Sequence, residues 1–382
     1  MRLVADSGLW RTGPVTRDTP LAAVLEVSGA VLSWTIDDPP GDAAVDITFT
    51  DVVRADWLWR VLGESGHVAL ASAFDAADGA TTQGIELGGV DIVPGSVDPL
   101  RRLAIGHWLR RWWPASRQDG IPGLDRALLD VEVGLLTVGA QGFFTDDTLD
   151  SDVTQLLAPH ATALIGHVAD NDPRVVDLVR AGAGLAEDIG VDDAQWPEVF
   201  AALDDSSTIL ALPSDRRDDY ALAAGSDVNP RGGAAIARGV ASIRWTGVPP
   251  AIFDAAEDTV RWSVQATGAT PVAAVRAAII GPDPGAGIAV QLQSGAVTGT
   301  GVLDADGRAT LPLLDAEQRP ITEAVAWDHD WPATVVIVGA RLSDSTETRE
   351  TRERVRRWAR ARLDSPPADA FLAEILAAES DY

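Results

Sequence analysis

The sequence predicts a multidomain α+β protein with an N-terminal α+β unit over 1–118, a helical region over 119–205, a β-sandwich over 206–343 and a helical tail over 344–382. Three observations lead there. A chain of 382 residues is long for one ordinary core and favours two or three domains. The hydrophobic period shifts along the chain from mixed to helical, then to two, then back to helical. Hydrophobic residues make up 46% and aromatic residues 6%, a composition that buries enough apolar surface to fold.

In the first unit, LAAVLEVSGAVLSWTID and VDITFTD are rich in β-branched residues and separated by the turn-forming DPPGDAA, so they read as paired strands. Asp51 then caps a helix carrying Val52, Val53, Trp57, Leu58, Val61 and Leu62, which Gly63 ends. GHVALASAF reads as another strand, and TTQGIELGGVDIVPG as strand plus turn. Asp98-Pro99 opens a helix that stops before Pro114. On it, Leu100, Ala104, Ile105, Trp108, Leu109, Trp112 and Trp113 cover an arc of roughly 220°, wider than a surface helix needs. Its arginines are spread into that arc instead of gathering opposite it, which favours core packing over a lipid anchor.

Four segments follow with acidic or Ser starts and helical periodicity: LDRALLDVEVGLL, DSDVTQLLAPHATALIGHV, DPRVVDLVRAGAGLAEDIG and DDAQWPEVFAALDD. Pro159 should split the second. From 206 onward the period is two, through STILALP, ASIRWTG, DTVRWSVQA, TPVAAVRAAII, GIAVQLQSG, VTGTGVLD, RATLPLL and ATVVIVGARL, with turn residues between them. That spacing predicts a sandwich. The hairpin Leu303-Asp304-Ala305-Asp306-Gly307-Arg308-Ala309-Thr310 resembles those of immunoglobulin-like and transthyretin-like sandwiches over these few residues. Two helices close the chain. TETRETRERVRRWARARL alternates Glu and Arg around a seam of Val355, Trp358 and Ala359. After Pro366-Pro367, Phe371, Leu372, Ile375 and Leu376 form one apolar stripe on an acidic helix.

Composition excludes much chemistry. There is no cysteine, hence no disulfide, thiolate nucleophile or Cys-ligated metal. All 30 basic residues are arginine, so no Walker-A, Schiff-base or Ser–Lys lysine exists. With 57 acids and a net charge of −27, the long-range field repels phosphate backbones, and no nucleic-acid role is expected. No secretory leader and no run of 18 apolar residues is visible, so the expectation is a cytoplasmic protein without a membrane partner.

Of the five histidines, His160 and His167 share a helix face but lie about 10 Å apart, too far to chelate one metal. Asp170 and Asp172 could join His167, although Asp-Asn-Asp-Pro reads more simply as a turn that starts the next helix. Trp327-Asp328-His329-Asp330-Trp331 is the densest polar and aromatic cluster, and Asp328, His329 and Asp330 are the candidate polar or metal site. Strand alternation would split His329 from its neighbours, which favours a loop whose tryptophans pack at a domain contact. GAGIAV lacks the third glycine and the following helix of a phosphate loop, and no Gly-x-Ser-x-Gly elbow occurs. No cofactor and no catalytic residue is assigned.

These readings favour a non-catalytic interaction, adaptor or structural subunit of a cytoplasmic multiprotein assembly, with Phe371, Leu372, Ile375 and Leu376 as partner-binding anchors. Fold-back of the same stripe onto the chain's own sandwich is the competing outcome. The alternatives are an Asp/Glu/His-based hydrolase, possibly metal-dependent, and an acidic decoy of a nucleic-acid-binding partner.

Overall fold

A computed structural model of the protein describes residues 1–6, 9–13, 19–38, 44–76, 84–144, 150–191, 195–209, 235–267, 270–341 and 347–380. The chain opens with strands β1 (Arg2–Asp6), β2 (Leu9–Arg11), β3 (Ala22–Val27), β4 (Ala30–Thr35) and β5 (Asp46–Phe49), then helix α1 (Trp59–Ala76) and strand β6 (Ile85–Glu86). Helices α2 (Asp98–Trp112), α3 (Arg126–Gln141), α4 (Asp150–Leu157), α5 (Ala161–Ala169), α6 (Pro173–Ile189) and α7 (Trp196–Ile209) follow. Strands β7 (Ala235–Ala241), β8 (Val260–Thr267), β9 (Thr270–Ala277), β10 (Ala289–Ser294), β11 (Val297–Val302) and β12 (Arg308–Leu314) come next. The chain ends with helix α8 (Glu323–Asp328), strand β13 (Val335–Val338) and helices α9 (Arg349–Asp364) and α10 (Leu372–Ser380). The protein is thus of mixed helix and sheet with two antiparallel sheets, as an α+β class requires.

The four consecutive segments read from the sequence regroup into two compact units. One comprises Met1–Trp113, Leu124–Ser207 and Thr346–Tyr382; the other comprises Pro114–Gly123 and Thr208–Ser345. The helical middle and the tail therefore share a core with the N-terminal strands, because their apolar faces are completed only by one another.

In the first unit the sheet runs β3-β4-β5-β2-β1-β6. Alternation sends Ala23, Leu25, Val27, Leu32, Trp34, Ile47 and Phe49 to the buried face. The β3–β4 turn uses Gly29 at φ 70°, where a Cβ would lie 2.1 Å from the Asp51 carbonyl oxygen. Helix α2 lies against β3, and α3 contacts α2, α4, α6 and α10. Asp125 caps α3 through Leu128 N–H at 2.9 Å, Asp172 caps α6, and Gly190 ends α6 in the left-handed conformation. Pro159 does split the second helical segment, into α4, a 3-10 turn at Ala158–His160, and α5.

Two local expectations are corrected here. GHVALASAF is not a strand but the second half of α1, which passes Gly63 through a kink at φ 71°. A short apolar run does not separate strand from helix by periodicity, and buried Gly66 and Leu70 keep helical spacing. Asp51 Oδ1 accepts from Val53 and Arg54 N–H, but it closes a turn; the helix starts only at Trp59 after a 3-10 turn at Asp56–Leu58. Val53, placed on the apolar face from sequence, is 87% exposed.

In the second unit a single sheet runs β13-β10-β11-β12-β9-β8-β7, and its two edge strands approach each other, giving a nearly closed, barrel-like sheet where two stacked sheets were expected. Period-two patterning is shared by sandwiches and barrels, so it does not separate them. STILALP does not start this sheet: Ser207–Ile209 belong to α7, and 210–213 lie outside the described residues. The Leu303–Thr310 hairpin is present between β11 and β12. Asp304 Oδ1 accepts from Asp306 N–H at 3.0 Å and Arg308 N–H at 2.8 Å, and Gly307 takes φ 73°.

Candidate anion-binding site

β8, β9 and β12 are neighbours, and their register sets Arg261 opposite Arg276 and Arg276 opposite Arg308. Directly opposed residues of antiparallel strands share a face, with Cα atoms about 4.5–5.5 Å apart. The flanking Val260, Trp262, Val275, Ala277 and Ala309 are all buried, so the arginines stand on the outer face and are exposed. Like charges placed directly opposite one another destabilise a sheet. A row of three is therefore a feature that folding alone does not favour.

The row lines a recess of about 640 Å³ together with Arg117, Gln118, Asp254, Asp258, Thr259 and Asp306. Arg117 arrives on a small hairpin closed by paired hydrogen bonds between Ser116 and Ile121, both 2.8 Å. The Asp254 carboxylate, 5% exposed, holds this hairpin from below. Its Oδ2 accepts from Arg117 N–H at 3.0 Å and Gln118 N–H at 3.4 Å, while Oδ1 accepts from Ala256 N–H at 3.0 Å. Asp306 lies 3.7 Å from Arg308, an exposed contact. The remaining lining is small and aliphatic: Ala277, Ala278, Ile279 and Ala305. Four guanidiniums and three carboxylates share one concavity with a neutral amide and no aromatic side chain, a lining with a surplus of arginine that can receive an anion.

The chain matches no family model, no curated protein and no solved structure.

The residues singled out in the sequence are placed elsewhere. Phe371 is fully buried in the first unit, beside Gly106 and Val133, and α10 packs on α3 and α9. Leu372, Ile375 and Leu376 are half-buried on the same helix, and Leu372 N–H donates to Glu132 Oε2 at 2.8 Å. The stripe thus docks on α3 and α9 in the first unit and not on the C-terminal sheet, because the apolar face it completes is that of α2 and α3 around Gly106 and Val133. Asp328, His329 and Asp330 do not converge. Asp328 ends α8 and is exposed, as is Asp330, while His329 Nε2 lies 2.9 Å from Ser294 Oγ with its ring edge-on to Trp331. Trp331 is buried, with its indole donating to Ala326 O at 2.8 Å; Trp327 is exposed. Among the described residues no group of three or more His, Asp or Glu is arranged to hold a metal ion.

His160 pairs with an acid on α3, and His167 with the acid that caps it. His160 Nε2 lies 3.0 Å from Asp130, and His167 Nε2 lies 2.7 Å from Asp125. Burial pushes Asp130 up, yet hydrogen bonds from His160 and Arg110 and the charge of Arg126 outweigh it and hold the carboxyl below its ordinary range. With its lone pairs occupied by those three partners, Asp130 is a brace between helices. The helix over 98–112 behaves as a core element: Arg101 reaches Asp369 at 2.9 Å, Arg102 reaches Glu132 at 2.5 Å, and Trp108 donates to Pro20 O.

The arginine row escaped the sequence reading. Each arginine is one outward position in an alternating strand, and what makes them a site is inter-strand register, which one sequence does not encode locally. The only local trace is Arg beside buried apolar residues in DTVRWSVQA, VAAVRAAII and GRATLPLL.

No helix among the described residues is long and apolar enough to cross a membrane.

Proposed function

We propose that the chain is a non-catalytic interaction or adaptor subunit of a cytoplasmic multiprotein assembly, and that its recognition surface is the arginine-lined recess. The observation that carries this reading is the register of Arg261, Arg276 and Arg308, three like charges held side by side in a chain of net charge −27. All three stand exposed on the outer face of the sheet. Arginine clusters of this kind serve recognition of acidic or phosphorylated protein segments. The acid surplus then suppresses capture of the wrong polyanions while the local patch binds the right group. The C-terminal helix is not the anchor in this reading, since its apolar stripe is engaged within the first unit.

The test is affinity capture with the full chain and with Arg261→Glu/Arg276→Glu in the native cytoplasm. The wild type is expected to retain a stoichiometric protein partner and the variant, at unchanged Tm, to lose it. Equal retention by a well-folded variant would sink the proposal.

A further inference from the structure

We propose that the seam between β7 and β13 receives an extended segment of a partner protein as an eighth strand, with apolar side chains directed inward and one acid directed to Arg244. This surface lies on other strands than the arginine recess, so the two stand or fall separately. Every neighbouring pair in the sheet is antiparallel, and seven such strands leave the first and last, β7 and β13, running in the same direction. Among the described residues no register joins them. A strand entering between them runs antiparallel to both and completes a barrel of eight. The backbone of β13 is set to accept it. Gly339 N–H donates to Ala289 O at 2.8 Å, so the ladder to β10 bonds at Gly339, Ile337 and Val335, and alternation turns the N–H and C=O of Val336 and Val338 towards β7. Ala340, next in that alternation, donates across the seam to Gly247 O at 2.8 Å. Val336 and Val338 are buried, where an amide without a partner is costly.

The side chains along the seam specify the guest. Ala237, Gly239 and Ala241 lie opposite Val264, Trp262 and Val260 on the inner face, yet they are only half-buried, whereas inward Val264, Val290 and Leu292 are at most 1% exposed. The interior is thus uncovered along β7, and apolar side chains complete it. A recess of about 230 Å³ opens there, lined by Ala241, Ser242, Arg244 and residues 334–338, with no carboxylate among them. Arg244 is exposed and forms no hydrogen bond or ion pair among the described residues, so an acid on the guest meets it without a competitor. Val240 and Val335, 56% and 52% exposed, flank the seam on the outside. Entry sets the two edges about 10 Å apart, twice the strand spacing, and no ladder among the described residues resists that opening. A second copy is a poorer guest, because pairing two β7 edges brings the Arg238 side chains of two bodies of charge −27 together. Adding a strand to an open sheet edge is a general mode of peptide recognition, with affinity from the main chain and specificity from alternate side chains.

The experiment follows amide exchange and backbone shifts of Val336 and Val338 in the isotope-labelled full chain by NMR. The probe is the capped hexapeptide Thr-Val-Glu-Val-Thr-Val, which alternates inward valines with outward polar residues. One control carries Lys in place of Glu, and another has every second amide N-methylated, which blocks pairing along one edge. The probe is expected to slow exchange at Val336 and Val338 by at least about ten-fold at saturation. The Lys peptide should bind at least about five-fold more weakly, and the N-methylated one not at all. Arg244→Glu, at wild-type Tm, should reverse the order of the Glu and Lys peptides. Unchanged exchange at both valines with probe at about 1 mM, equal Kd for the N-methylated peptide, or an unreversed order in Arg244→Glu would each overturn the inference. Full protection before any peptide is added would also overturn it: constant with protein concentration, it assigns the seam to the chain itself, and rising with concentration, to a second copy.

Discussion

Arg362 grips Glu374 with two parallel hydrogen bonds, Nε at 2.6 Å and Nη2 at 2.8 Å, and the Glu374 side chain is wholly buried. Glu374 Oε2 also accepts Phe371 N–H at 2.9 Å, and Arg362 reaches Asp369 at 3.1 Å. Burial works against the Arg362 charge, but the Glu374 hydrogen bonds and the nearby acids outweigh it and raise its pKa. This clasp seats the C-terminal helix between α9 and α3. Glu374→Ala leaves a buried guanidinium with only Asp369, already shared with Arg101. The expected cost is about 3–5 kcal/mol of unfolding free energy, read from urea denaturation. A loss below about 1 kcal/mol would show that the pair is not buried in solution.

The same seat has a steric signature. A Cβ on Gly106 would lie 2.6 Å from Val133 Cγ2 and 2.8 Å from Phe371 Cζ. Gly106→Ala should therefore destabilise by about 1–3 kcal/mol although alanine is the better helix former. Gly139→Ala on exposed α3 surface, where nothing lies within 4 Å, should stabilise by about 0.5–1 kcal/mol. Opposite signs for two glycine-to-alanine changes, measured by thermal melts, are the expected result. A stabilising Gly106→Ala would contradict the docked position of Phe371.

What the sequence made legible follows from the range of the interactions involved. Caps and breakers act within a few residues, so Asp125, Asp172, Pro159 and Gly190 marked their helix boundaries. The stripe Phe371, Leu372, Ile375 and Leu376 was visible as an apolar face, but what it covers is set by Gly106 and Val133, far away in the chain. The α1 error has a similar root: Gly63 has the sequence of a terminator, and only packing of Gly66 and Leu70 carries the helix past it. The arginine row is wholly a product of pairing between β8, β9 and β12.

His167 and Asp125 tie α5 to the start of α3, and their pH dependence has a definite sign. The hydrogen bond to Asp125, helped by its charge, raises His167 above 6.5 in spite of burial. Burial pushes Asp125 up, but the His167 bond and the backbone N–H groups of the α3 cap bring it below 3.8. A raised histidine stabilises fully below its unfolded pKa and loses that contribution as pH rises through its folded value. A lowered aspartate contributes above its unfolded pKa and loses it as pH falls through the folded one. The tie is therefore strongest between about pH 4 and 6.5 and weakens on the alkaline side. The pair is partly exposed, so the effect should stay under about 1 kcal/mol. His167→Gln should flatten the decline in stability between pH 6 and 8.5 in matched denaturation curves, and an unchanged slope would reject the tie.

Asp254 lets the hairpin that carries Arg117 be tested apart from the strands. Asp254→Ala strands the N–H groups of Arg117, Gln118 and Ala256 without their acceptor, at an expected cost of about 1–3 kcal/mol. Amide exchange should quicken at 116–121 and remain unchanged in β9. Protection retained at Arg117 and Gln118 would mean that Asp254 does not hold the hairpin.

The arginine row itself predicts a trade between stability and binding. Arg261 lies directly opposite Arg276, so it carries a like-charge repulsion across the strand pair. Its replacement by Thr, a good strand former, removes that repulsion. Arg261→Thr should raise stability by about 0.2–1 kcal/mol at low ionic strength, and the gain should fade as salt shortens the screening length towards about 3 Å at 1 M. The same change should weaken capture of the partner. A folding core residue would behave in the opposite way, losing stability when replaced and showing little salt dependence. Denaturation at low and high salt separates these outcomes, and destabilisation by Arg261→Thr at every salt concentration would mean the row is held by the fold for its own sake.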